Sequence, residues 1–448
     1  MTVPPTSFIP NGHGPSPSHL AYPTVQPDWA DVIKDVRNAT VMEEVFWLSC
    51  YRRDLGEGGS VHGSVRTLPS SVTSGQEEQG LPSVTGESGI EARLTDMHTM
   101  RISCSELGIE DTIIHSPSRC YRAFDGEANL LSFDVSPGEE LIALGGTGGH
   151  ISVMYVTDGS NRLELTQDIA TDVNLCRFFP SGQVILTGGA DMRLRVWSAL
   201  DGSCPVTLTG HTGRIMDAAM VDRGRTIYSA SRDGSVRLWE LSSSRSLQHW
   251  SFEDEGPVVA LSLCNSRYGE EEGEGAPTSP IQNLLAAGTQ HGMVHCMDTR
   301  TYDQIFHLET GDSAPLTTLA LEEGGYRCVV ASDSGVLSTY DLRSPSTPIM
   351  QVIRNGSRIT SVSWSRISQS SPLGIQCSTY DGATFLIPMN PSPSALEEGD
   401  EEVQTPRITE EWSGSELEAV LGFKEFPSTS HLWTASRDNM IRIYGEGV

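Results

Sequence analysis

The chain has 448 residues, with 58 acidic against 30 basic side chains and a formal net charge of −28. That balance excludes a nucleic-acid surface, whose affinity rests on Lys and Arg neutralising phosphates, and suits a basic protein partner or plain solubility. Hydrophobic residues make up 37%, and no run of about 18 apolar residues occurs, so no membrane-spanning helix is expected.

The length exceeds one average domain, which leaves two units or one large repeat array. The nine cysteines are scattered from Cys50 to Cys377 with no C-x-x-C pair. They read as reduced core residues of a cytoplasmic and nuclear protein, because disulfides belong to oxidising compartments and metal sites need clustered ligands. Residues 1–27 are rich in Pro, Ser and Gly and read as a disordered tail. They lack the charged and apolar regions of a secretory signal, so the sequons at Asn38 and Asn355 are expected to be chance matches.

Residues 28–110 read as a small N-terminal domain. A short helix is expected over Asp28-Trp29-Ala30-Asp31-Val32-Ile33, with Asp28 as its N-cap. A strand is expected over Val45-Phe46-Trp47-Leu48-Ser49-Cys50-Tyr51, and residues 94–104 could add another. Residues 56–89, rich in Gly and Ser, read as loop.

From about residue 111 the chain repeats itself. Gly188-Gly189-Ala190-Asp191-Met192-Arg193-Leu194-Arg195-Val196-Trp197 is followed by Ser229-Ala230-Ser231-Arg232-Asp233-Gly234-Ser235-Val236-Arg237-Leu238-Trp239. The spacing from Trp197 to Trp239 falls in the roughly 40–45-residue range of a four-stranded propeller blade. The same signal recurs with Tyr155, Met297, Tyr340, Ile387 and Tyr444 at the Trp position, which makes seven units. The fold expected for 111–448 is therefore an all-β, seven-bladed WD-repeat β-propeller preceded by the small domain. Two longer intervals hold acidic insertions, 267–279 and 390–411, expected to be loops. The strand near 119–124 is expected to close the ring by supplying the last blade's outer strand.

Blade three carries the full set of residue types for a buried polar network: His211, Ser229 or Ser231, Asp233 and Trp239. Asp191, Asp233 and Asp438 are accordingly read as structural and buried. Blades four to six lack several members and are expected to depend more on plain packing.

These residues resemble a known family. Val173-Asn174-Leu175-Cys176-Arg177-Phe178-Phe179-Pro180-Ser181-Gly182 and the run Val221-Asp222-Arg223-Gly224-Arg225 carry the likeness, with Asp28-Trp29-Ala30 and Trp47-Leu48-Ser49-Cys50. Together they look like the proteasomal ATPase-associated factor 1 family, closely over 170–240 and thinly elsewhere. The resemblance implies an assembly chaperone of the proteasome regulatory particle that holds an ATPase subunit through that subunit's basic C-terminal domain. The chain departs from the pattern by its two insertions and its Pro-rich N-terminus.

The loops leading into each blade's innermost strand are expected to share one end of the ring. Taken in order they supply Asp125 and Glu127, Asp168 and Asp172, His211 and Arg214 followed by Asp217, Glu253, Asp254 and Glu255, Asp312, Arg354 and Arg358, then Glu416 and Glu418. Five of the seven are acidic, so this face is expected to be negative except near blades three and six, and to bind the partner. The plainer reading is that an acidic protein places acids in most surface loops.

No catalytic, cofactor or metal site is expected. Gly145-Gly146-Thr147-Gly148-Gly149 lacks the Gly-Lys-Ser/Thr ending of a phosphate loop. A triad of His211, Asp217 and a serine is outweighed by the histidine's repeat position. The expectation is a non-catalytic binding scaffold, monomeric when free, without nucleic-acid or membrane partners. The alternative is a substrate receptor of a cullin-type ubiquitin ligase, suggested by Tyr340-Asp341-Leu342-Arg343 and Met297-Asp298-Thr299-Arg300.

Overall fold

Each repeat opens with an apolar strand that bulges after its first residue. The pairing register shifts between Leu130 and Ser132, Val173 and Leu175, Ile215 and Asp217, Val258 and Ala260, Leu316 and Thr318, Ile359 and Ser361, and Val420 and Gly422. A bulge bends its strand and increases the local twist, and here it recurs where each sheet meets the ring centre. The computed structural model describes residues 6–8, 16–70, 80–167, 170–264, 283–366, 373–389, 405–415 and 417–445.

Among these residues, seven antiparallel four-stranded sheets form a ring. Their innermost strands are Leu130–Val135, Val173–Phe178, Ile215–Val221, Val258–Cys264, Leu316–Leu321, Ile359–Ser365 and Val420–Phe426. Each packs beside the next, and Val420–Phe426 packs beside Leu130–Val135, so the ring closes. The second strands Leu141–Gly146, Leu284–Thr289, Gly374–Thr379 and His431–Ser436 are buried at every position. A strand covered by a sheet on both faces has no solvent side, which is why these read as continuous apolar or small-residue runs. The last sheet takes its outer strand from Arg119–Arg122, antiparallel to Met440–Tyr444.

The position facing the neighbouring blade holds Trp197 opposite Ile185, Trp239 opposite Ile227, Met297, Tyr340, Ile387 and Tyr444. In blade one that position belongs to Met154, opposite Ile142, rather than to Tyr155. Tyr155 is exposed beneath the Arg162 guanidinium. Counting the repeat interval missed by one because the extra residue lies after this position: Ile142–Met154 and Ile185–Trp197 span equal hairpins, and the pairing of blade one's third and fourth strands shifts register at Val153/Met154.

The N-terminal segment is built into the ring. Thr6–Phe8 pairs in parallel with blade four's outer strand and Ser18–His19 with blade five's, and Leu20 beyond is buried, so the described part of the expected disordered tail adds strands to the ring. Tyr22–Val25, Glu44–Tyr51, Ser60–Leu68 and Ser83–Gly86 form one sheet. The last two occupy a stretch read as loop. There the buried Val61, Val65 and Thr67 alternate with Ser, His, Gly and Arg, a polar-rich pattern that hides the strand period. A hairpin, Glu91–Leu94 and Thr99–Cys104, continues into Ile109–His115. That strand lies parallel to Glu410–Trp412 and extends blade six to seven strands. The 390–411 insertion therefore ends in blade six's outer strand; its residues 390–404, like 267–279, lie outside the described residues.

The helix runs from Trp29 to Arg37 and buries Trp29, Val32, Ile33 and Val36, one stripe at helical spacing. Asp28 occupies the N-cap position but makes no capping bond; its carboxylate accepts from Gln26 Nε2 at 2.8 Å. Trp29 Nε1 donates to Ser413 Oγ at 3.1 Å, tying the helix to the ring. All nine cysteines are free; seven are buried and Cys120 is exposed.

Candidate protein-binding face

One hydrogen bond recurs in every blade and fixes which loops share an end of the ring. The residue just before the innermost strand accepts, through its carbonyl, the N–H of the turn between the second and third strands. The donors are Thr147, Ala190, Arg232, Gln290, Asp333, Tyr380 and Arg437, and the acceptors are Asn129, Asp172, Arg214, Pro257, Pro315, Arg358 and Ala419, all at 2.8–3.0 Å. The approach is close: a Cβ on Gly189 would meet the Asp172 carbonyl oxygen at 2.0 Å. The seven lead-in loops and seven turns thus form one face.

The expected site residues divide on this face. Asp125, Glu127, Asp254 and Glu418 are exposed in lead-in loops and free to meet a partner. Asp168 and Glu416 lie outside the described residues. Glu253 opens the short 3-10 turn that also holds Asp254 and Glu255.

Four others are engaged within the ring instead. Asp172 Oδ1 accepts from Gly148 N at 3.1 Å. Asp312 accepts from Ala314 N at 3.0 Å and Ser334 Oγ at 3.1 Å. Glu255 pairs with buried His295, which also contacts Gln304 and stacks on Phe252. Burial holds that imidazole below its usual range despite the carboxylate. Asp217 is not in a loop at all. It follows the bulge in blade three's innermost strand and accepts from Arg177 Nη2 at 2.7 Å and Leu261 N at 2.8 Å, joining blades two, three and four. Asp134 does the same for blades seven, one and two, accepting from Lys424 Nζ and Phe178 N.

The arginines also need correction. Arg354 is buried, its guanidinium over the Tyr22 ring at 4.1 Å and bonded to Glu411 at 2.5 Å. It does not contribute charge to the face. Arg358 does, beside Asp333 at 3.3 Å. Three exposed apolar residues were missed: Met192, Tyr380 and Leu417, the last 85% exposed. Met192 and Leu417 sit at φ of 65° and 69°, where a bulky residue is strained and a sequence reader expects Gly or Asn. Tyr380 hydroxyl accepts from Arg437, and its ring lies under that guanidinium. The face is therefore acidic with an apolar and arginine-bearing patch at blades six and seven.

The buried networks are structural. In blade three, His211 Nδ1 bonds Asp233 at 2.9 Å and His211 Nε2 bonds Ser229 Oγ at 2.8 Å, while Trp239 Nε1 donates to the same Oγ at 2.8 Å. His211 and Ser235 hold the Asp233 carboxyl well below its usual range, against the opposing effect of burial. The order Asp-His-Ser has the geometry of a nucleophilic triad, but Ser229 is fully buried under Trp239 and no substrate could reach it. Asp191 and Asp438 pair instead with Arg195 and Arg442, four residues on. Blades four to six do not rest on packing alone: Glu255–His295, Tyr340 hydroxyl to Thr310 O and Arg354–Asp381 replace the missing members. Among the described residues, no three His, Cys, Asp or Glu are placed to hold a metal ion.

A ring of seven four-stranded sheets with this repeat signature defines a WD-repeat β-propeller. The WD domain, G-beta repeat profile matches residues 164–198 and 202–240, and the profile of the nucleolar protein 10-like N-terminal domain matches 254–377. The chain is 31% identical to the 26S proteasome regulatory subunit RPN14 of Saccharomyces cerevisiae, over 49% of this chain and 55% of that protein. It is 25% identical to pre-mRNA-processing factor 19 of Oryza sativa subsp. japonica, over 48% of this chain and 38% of that protein. It is 22% identical to a guanine nucleotide-binding protein subunit beta of Oryza sativa subsp. indica, over 50% and 59%. In each case the chain spans less than two thirds of the relative's length.

Proposed function

We propose that this protein is a non-catalytic scaffold that binds a proteasomal ATPase subunit during assembly of the regulatory particle. The observation that carries the reading is the shared face of lead-in loops, with Asp125, Glu127, Asp254 and Glu418 turned to solvent beside exposed Leu417 and Tyr380. Carboxylates sharing a face with an apolar patch at blades six and seven suit a basic domain: the charges steer encounter, and the aromatic and apolar groups supply contact energy. Likeness to a yeast 26S proteasome regulatory subunit directs the choice of partner. So does the resemblance to the proteasomal ATPase-associated factor 1 family.

The ligase-receptor alternative loses its main support in the geometry of its own motif. Arg343 folds back on Asp341 at 2.5 Å and over the Tyr326 ring at 5.0 Å, and Arg300 approaches Asp298 in the same way. The Asp-x-Arg pattern here braces a blade turn.

Affinity purification of the tagged full chain, followed by mass spectrometry, tests the reading. Recovery of proteasome base ATPases without the catalytic core particle is expected. Recovery of a cullin adaptor with no proteasome subunit would replace it with the alternative.

A further inference from the structure

The end of the ring opposite the lead-in loops carries a cleft of about 970 Å³ where the N-terminal unit meets blades six and seven. Its floor comes from the far ends of the inner strands. Ser365 closes the innermost strand of blade six, and Glu425 lies near the end of that of blade seven. Glu410 and Trp412, from blade six's outer strand, form one wall, and Tyr444 lies across from them. The hairpin turn carrying Asp96 covers the outer side. Clefts at such joints, of a few hundred to about a thousand Å³, are where proteins place ligands.

Three features define what would fit. The first is charge: Asp96, Glu410 and Glu425 line the cleft against one guanidinium, that of Arg37 at the end of the helix. Glu410 is committed to His115 at 2.9 Å, and that imidazole stacks on Trp412 with centroids 5.2 Å apart. No ion pair reaches Glu425 among the described residues. Burial pushes its carboxyl up, the adjacent Ser365 hydroxyl works against that rise, and Glu410 adds to it.

The second feature is unmet hydrogen bonding. Gln376 lines the cleft at 1% exposure and its Nε2 has no hydrogen-bond partner among the described residues, whereas the neighbouring Ser365 hydroxyl is turned toward Glu425. A buried donor left unpaired is destabilising, which makes Gln376 Nε2 a group that a bound acceptor would satisfy. The third is the aromatic lining of Trp412 and Tyr444, whose edges offer an apolar surface for the stem of a long side chain.

We propose that this cleft binds an arginine or lysine side chain presented by a peptide segment. The cation would face Glu425, its aliphatic stem would lie along the exposed edge of Trp412, and a backbone carbonyl of the segment would accept from Gln376 Nε2. A lone side chain would leave most of the volume empty; three or four residues of extended chain fill it. The site is independent of the lead-in face, since it lies at the other end of the ring and shares no residue with it.

The test uses the full chain and a fluorescein-labelled pentapeptide, Gly-Arg-Gly-Lys-Gly, read by fluorescence anisotropy. Glu425→Gln should weaken binding about tenfold. Gln376→Leu should weaken it several-fold while leaving the thermal midpoint unchanged or higher, because it removes a buried donor that nothing satisfies. Glu164→Gln, on the exposed outer strand of blade one, should leave it unchanged; it reports general attraction to an acidic protein. Equal weakening by all these variants, or none by Glu425→Gln, would overturn the proposal and leave a water-filled cleft. Displacement by argininamide at the concentration where the unlabelled pentapeptide displaces would overturn the peptide part in favour of a small cation.

Discussion

Ser229 serves two buried partners at once. Asp233 is acceptor-only, so His211 donates from Nδ1 and its Nε2 accepts the Ser229 hydroxyl, whose oxygen takes the Trp239 N–H. Ser229→Ala leaves one donor and one acceptor unmet, and a loss of about 2–5 kcal/mol in urea unfolding is expected. Ser231→Ala should cost less, because Ser231 only braces the turn through Gly213 O and Asp233 N. Blade three's network was legible because its residue types recur at fixed repeat positions. The buried Arg354–Glu411 pair was not. Glu411 ends a run of acids that composition marks as loop, yet it is 7% exposed on a strand. Burial outweighs the attraction of Arg354 and pushes this carboxyl from its ordinary 4.5 up to about 7. The folded chain then holds a proton that the unfolded chain has lost between those values. Stability contributed by the neutral acid is present below 4.5 and is lost as pH rises through 7. Relative to Glu411→Gln, the unmodified chain should lose on the order of 3 kcal/mol across that window in unfolding experiments at stepped pH. Parallel profiles would contradict the assignment.

At the scale of elements, the ring depends on a strand supplied from far away in sequence. Arg119–Arg122 completes blade seven, flanked by bonds from Ser118 N to Ile443 O at 2.7 Å and Ala123 N to Asn439 O at 2.8 Å. Tyr121 reaches on to blade one through Val156 O at 2.6 Å. Ala123→Pro deletes one bond at a buried position. It should cost about 1–3 kcal/mol and speed protease cleavage within blade seven. Cleavage at an unchanged rate would mean that side-chain packing alone closes the ring. Repeats were visible wherever Trp, Asp and Gly kept their spacing. The strands of the N-terminal unit were harder to see, because Ser60–Leu68 alternates small and polar residues with only a few apolar ones. Its parallel attachment to blade six was invisible, since pairing between Ile109–His115 and Glu410–Trp412 links residues about 300 positions apart and leaves no local signal.

At the scale of the molecule, one end of the propeller presents acids and an apolar patch, and the other presents the cleft at the joint with the N-terminal unit. The lead-in loops were predictable as a set, because every blade repeats the same turn-to-loop hydrogen bond. Which of their carboxylates face outward was not, since Asp172, Asp217, Glu255 and Asp312 have internal partners that only the folded ring brings near. Association through the outward carboxylates should slow as salt rises, because exposed charges are screened beyond about 8–10 Å at physiological ionic strength. Leu417→Ser should weaken the complex mainly by raising its dissociation rate, since an apolar anchor acts after encounter. The central claim is that this face holds a proteasomal ATPase subunit. Its most direct test is the affinity of the purified full chain for isolated C-terminal domains of the base ATPases, measured by calorimetry with and without Asp254→Lys and Glu418→Lys. Binding to one of these domains, weakened at least tenfold in the folded double variant, is the predicted result. Binding to none of them, or unchanged affinity in the double variant, would contradict it.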